Sequence, residues 1–93
     1  MTAAYSKDFI KQAKKLNPDL RKKLQQRIKV FSKDSLDPEL RNHALKGKHK
    51  DYRSIDITGD KRALYLQQSN ETIFDAVDTH SQLYDKVLVR LFH

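Results

Sequence analysis

Two hydrophobic periods divide this chain. From Phe9 to Phe31 apolar residues recur every three to four positions, and from Tyr52 onward they alternate. A helical period followed by a strand period leaves few architectures open to 93 residues. Each half has one apolar side, and each must bury it against the other.

The first half reads as two helices. Ser6 is placed to cap a helix starting at Lys7, with Phe9, Ile10, Ala13 and Leu16 as its apolar stripe. Asn17-Pro18 interrupts that helix, and the same pair suits the start of a second, Asn17 as cap and Pro18 in the first turn. Leu20, Leu24, Ile28 and Phe31 then carry the stripe through Lys33, while Arg21, Lys22, Lys23, Arg27 and Lys29 lie mostly off it. The spacing predicts a helical hairpin. Asp34 to Pro38 reads as a loop, Pro38 to Leu45 as room for one short helical turn, and Lys46-Gly47-Lys48-His49-Lys50 as too charged for any core element.

The second half reads as strands joined by tight turns. Tyr52 to Thr58 sets Ile55 and Ile57 on one face and Tyr52, Ser54, Asp56 and Thr58 on the other. Thr58-Gly59-Asp60-Lys61 is a turn signal, Arg62 to Gln67 the next strand, Ser69-Asn70 another turn, and Thr72 to Asp78 a third strand. Residues 81–93 fit either a last strand or a short helix, with Val87, Leu88, Val89, Leu91 and Phe92 as core or partner-covered surface. The expected fold is α+β: one domain over residues 1–93, with a helical hairpin packed on one face of a small twisted antiparallel sheet. The other sheet face is left for a ligand.

Composition narrows the partner. Nineteen Lys and Arg against twelve Asp and Glu give +7, which favours a polyanion: nucleic acid, an acidic protein or an anionic surface. The absence of cysteine excludes a disulfide framework and a thiolate zinc site. No apolar run suits a signal peptide or approaches the roughly 18 residues of a membrane span, and no HExxH or tight acidic cluster suggests a metal. Two glycines cannot build a phosphate-cradling loop, so no nucleotide cofactor is expected.

The residues able to do chemistry gather between His43 and Tyr84. Lys46, Lys48, Lys50, Arg53, Lys61 and Arg62 bracket the first hairpin and could neutralise phosphate, although a solvated basic rim would contain the same residues. His43 precedes the first strand and His80 follows the third; histidine titrates near neutral pH and can move protons, or can serve as an ordinary surface side chain. Asp60 fits common turn chemistry. Asp56 is more telling, because strand interiors disfavour aspartate; it is paired with a cation or it is functional. Tyr84 could stack on a base or pack against the sheet edge.

In their order, His43-Ala-Leu-Lys-Gly47, Tyr52-Arg53, Gly59-Asp60, Leu64-Tyr65 and Thr79-His80-Ser-Gln-Leu-Tyr84 resemble the YafQ-like branch of the RelE/ParE toxin superfamily, over roughly residues 5–84. The resemblance implies a RelE-like fold and the toxin of a type II toxin–antitoxin pair, cytoplasmic in a bacterium or archaeon. It implies a ribosome-dependent, metal-independent endoribonuclease that cuts mRNA in the decoding site against rRNA and is silenced by an acidic antitoxin. The family's catalytic positions fall on His43, Asp60, His80 and Tyr84; where such enzymes often carry a further histidine, this chain has Asp56. On that basis His80 is the expected acid, Asp56 or His43 the base, and Arg53, Arg62, Lys46, Lys48 and Lys61 the phosphate ligands. A ParE-like gyrase inhibitor or an inactive RNA- or antitoxin-binding relative are the alternatives; the His43, Asp60 and His80 set separates the first and Asp56 bears on the second.

Overall fold

The helical hairpin forms where its caps place it. Ser6 Oγ accepts the Phe9 amide at 3.0 Å and opens α1 (Lys7–Lys15); Asn17 Oδ1 accepts the Leu20 amide at 2.9 Å and opens α2 (Pro18–Lys33). The computed structural model describes residues 2–46 and 51–79. After α2, Asp37 caps a single 3₁₀ turn over Pro38–Leu40, which ends at Arg41 in the left-handed conformation, φ 48°. The predicted short turn is therefore present, and it delivers the chain into a two-residue strand instead of continuing.

Among the described residues five strands make the sheet: β1 (Thr2–Tyr5), β2 (His43–Ala44), β3 (Tyr52–Asp56), β4 (Lys61–Gln68) and β5 (Glu71–Thr79), in the order β1-β5-β4-β3-β2. The meander β2 to β5 is antiparallel as expected. One correction is needed: the sheet is mixed, because β1 runs parallel to β5, Thr2 opposite Glu71 and Tyr5 opposite Phe74. Thr-Ala-Ala-Tyr has no alternation that announces a strand; the open edge of β5 supplies the hydrogen-bond partners that make it one.

Phe74, fully buried on β5, joins the two layers. Its ring lies 5.7 Å from Phe9 of α1, 5.3 Å from Phe31 of α2 and 5.6 Å from Tyr65 of β4. Leu24, Leu40, Ile55, Ile57, Ala63 and Val77 complete that core. Ile10 departs from the expected stripe: it is 43% exposed, as is Tyr5, and both line a groove between the helices. The outer sheet face is also less open than expected, since Leu45, Leu64 and Ala76 are buried there, with Tyr52 packed against them. No helix among the described residues is long and apolar enough to cross a membrane.

Candidate active site

Strand register decides which side chains share a face, because residues directly opposite one another point the same way. His43 pairs with Ser54, Ser54 with Leu64 and Leu64 with Ala76, so these form one row across the outer face. The next row holds Asp56 and Arg62. His43, Asp56 and Arg62 are thus brought to one side of the sheet in neighbouring rows. Arg53 is not: it pairs with Ala44 and Tyr65, on the side that carries the helices.

His43 is exposed, yet its ring is held. Nδ1 lies 2.8 Å from the Arg41 carbonyl oxygen. A carbonyl only accepts, so Nδ1 is the donor in this contact, and in a neutral ring the acceptor nitrogen is then Nε2. The left-handed turn at Arg41 is what folds that carbonyl back beneath the imidazole.

Asp56 is paired with a cation, one of the two readings its position in a strand allowed. Its Oδ1 sits 3.4 Å from Arg62 Nε, with both side chains mostly buried. Beside them, Ser54 Oγ is buried with no hydrogen-bond partner among the described residues. Asp60 lies exposed in the β3–β4 turn, where Thr58 Oγ1 accepts the Asp60 amide at 3.3 Å and the Lys61 amide at 3.0 Å. Lys46 is exposed just after Leu45, whose amide donates to the Tyr52 carbonyl at 3.0 Å. Lys48, His80 and Tyr84 lie outside the described residues, as do residues 81–93.

Two polar clusters had no sequence signal. Asn42 Nδ2 donates to the Ser35 carbonyl at 2.8 Å and to the Tyr65 hydroxyl at 2.7 Å, while its Oδ1 accepts Arg53 Nε–H at 3.0 Å. On the outer face the Tyr52 hydroxyl donates to Asp75 Oδ2 at 2.9 Å. Asp75 is the residue skipped where the β4–β5 register shifts, so the bulge is what turns its carboxylate toward Tyr52. The partners in both clusters are far apart in sequence. The misplaced Arg53 did have a signal: it stands three residues before Asp56, an odd offset that puts it on the opposite face of a strand.

Charge is distributed unevenly about this site. Residues 7–33 hold ten Lys and Arg against two Asp, a net +8 where the whole chain is +7, so the remainder is close to neutral. The cationic surface is the helical hairpin. On the outer sheet face Arg62 is individually placed beside a carboxylate, that of Asp56.

Two helices on a twisted sheet with this strand order define the fold of small bacterial toxins. YafQ from E. coli superposes with a TM-score of 0.76 at 21% identity, covering 88% of this chain and 96% of that one. A copper-bound mutant toxin from Helicobacter pylori gives 0.67 at 27% identity, with 89% and 98% covered. A YoeB/ParE toxin from Agrobacterium tumefaciens gives 0.73 at 16%, with 86% and 99% covered. No curated protein matches the chain by sequence. Residues 1–85 match the family described as bacterial toxin of type II toxin-antitoxin system, YafQ, and the chain belongs to that family.

Proposed function

We propose that this toxin is a ribosome-dependent endoribonuclease that cuts mRNA in the decoding site. The observation that carries the reading is the imidazole of His43, held through Nδ1 at 2.8 Å from the Arg41 carbonyl, on an exposed ring in the row beside Arg62. In the proposed reaction His43 Nε2 takes the proton of a ribose 2′-OH, whose oxygen attacks the adjacent phosphorus. The 5′-oxygen leaves with a proton from His80, and a 2′,3′-cyclic phosphate remains. Arg62, Lys46, Lys48 and Lys61 offset the charge that builds on the phosphate oxygens, a role assigned to side chains and not to a metal. Asp56, already committed to Arg62, suits holding that guanidinium better than taking the 2′-OH proton, which favours His43 as base. Asp60 and Tyr84 are assigned contacts to ribose or base. Nothing in this scheme is needed to inhibit gyrase, which sets the ParE-like reading second.

The partner that silences the toxin is an acidic antitoxin. E. coli YafQ has been seen in complex with DinJ, at 22% identity to this chain. A groove of about 300 Å³ between α1 and α2 is lined by the apolar Phe9, Leu24 and Ile28, with Ile10 at its lip and the cations Lys14 and Arg21 beside them. Apolar lining and neighbouring cations suit an amphipathic acidic segment. Acting on ribosomes places the protein in the cytoplasm.

The test is cleavage of a defined mRNA with and without programmed ribosomes. Cleavage is expected only with ribosomes present. Cutting of naked RNA at the same rate would overturn the ribosome-dependent mechanism, and no cutting in either case would overturn the nuclease.

A further inference from the structure

The segment Arg41-Asn42-His43 is pinned from one side chain. Asn42 uses both amide protons and its oxygen, on the Ser35 carbonyl, the Tyr65 hydroxyl and Arg53 Nε respectively. Tyr65 is 3% exposed and packs edge-to-face on Phe31 at 4.9 Å, so one of the three anchors is the core itself. Asn42 is half-buried, and its planar amide fixes the chain just where it leaves the left-handed turn. The carbonyl that receives His43 Nδ1–H belongs to the Arg41–Asn42 peptide. Hold Asn42, and that carbonyl has one position; release it, and the acceptor for the imidazole moves.

We infer that Asn42 is a positioning residue for His43, setting its tautomer and the direction of Nε2 through the Arg41 carbonyl. The role for His43 as base rests on the function proposed above; the link from Asn42 to the imidazole does not. The same anchor explains what Arg53 does on the helix side of the sheet. Through Nε it secures the Asn42 oxygen, which fixes which way round the amide lies and so directs its protons to Ser35 and Tyr65. Arg53 thereby acts on the site through two intervening residues and not through phosphate.

Long-range proton–nitrogen NMR correlations of the His43 ring in the full chain read this without reference to catalysis. The intact protein should show the proton on Nδ1, and Asn42→Ala should return the ring to the mixture seen in a free histidine. Asn42→Asp keeps an acceptor for Arg53 and is expected to restore part of the Nδ1–H population. Ile55→Val, a core trim away from the segment, serves as the control for lost stability and should leave the tautomer as it was. In single-turnover cleavage on ribosomes, Asn42→Ala should slow the chemical step by about 10²-fold with KM little changed, the scale of a misplaced reacting group. An unaltered ring signal in folded Asn42→Ala, or the same change in Ile55→Val, would overturn the inference. If the ring responds as expected but no variant ever cleaves, the positioning stands and the nuclease reading fails. If Asn42→Ala does not fold, Asn42→Asp with Arg53→Lys gives the same readout: a ring identical to the intact protein's in both refutes the link, and a shift in Arg53→Lys alone supports it.

Discussion

The helical hairpin and the outer sheet face do opposite things with charge. The hairpin concentrates it: the whole net charge of the chain, and one unit more, lies on residues 7–33, spread over exposed side chains. The outer face instead arranges the polar groups it has, with Arg62 against Asp56, Tyr52 against Asp75 and His43 fixed by a backbone carbonyl. Long-range attraction needs charge in quantity and tolerates disorder in its placement, since it acts over about a Debye length, roughly 8 Å at physiological salt. Proton transfer needs a few groups held to within a hydrogen bond. The lesson is that the basic composition and the candidate chemistry belong to different layers of this molecule, joined at Phe74.

That joint is the first place to break the comparison. Phe74→Ala should cost about 3–5 kcal/mol, a large part of a small domain's stability, and should unfold hairpin and sheet together. Denaturation followed separately by helix signal and by tyrosine fluorescence should give coincident curves; two separate transitions would mean that the layers are independent. Next in size is His43→Ala, expected to slow cleavage on ribosomes by at least about 10²-fold with the melting temperature unchanged. A rate within a few-fold of the parent would remove the outer face from the chemistry. Reversing charge on the hairpin, with Lys14→Glu and Arg21→Glu together, should weaken partner or ribosome binding by about tenfold, more at low salt, while leaving kcat as it was. A fall in kcat instead would show that the layers are not separate in function. The smallest effect is expected at Ser54. Its hydroxyl is buried with no partner among the described residues, so Ser54→Ala should be neutral or stabilising by up to about 1 kcal/mol, read from a denaturant midpoint.

Much of the hairpin was legible because its signals are local. Ser6, Asn17 and Pro18 act on amides within three residues, and the stripes need only the helical period. The meander was legible for the same reason, since its turns join neighbours. What escaped was whatever depends on distant partners. β1 exists only against β5, and the Asn42 cluster draws on positions 35, 53 and 65. Ile10 has the right period yet stands at the lip of a groove, because periodicity tells which side a residue faces and not whether anything covers it. Of the expected site, His43, Asp56 and Arg62 do share a face; Arg53 was grouped with them by sequence proximity, which strand parity contradicts.

The parallel pairing of β1 with β5 has a consequence for the order of assembly. Residues 2–5 are synthesised well before their partners at 71–74; Ser6 Oγ donates to the Asp75 carbonyl across 69 positions. Loop closure over such a span must precede the contacts that reward it, and contacts of this kind make folding slow. A nascent chain therefore holds the whole hairpin sequence before it has the strands on which the hairpin packs. For a protein whose proposed site of action is the ribosome, this means that the machine making it must carry synthesis past residue 74 before the sheet that holds the proposed site can close.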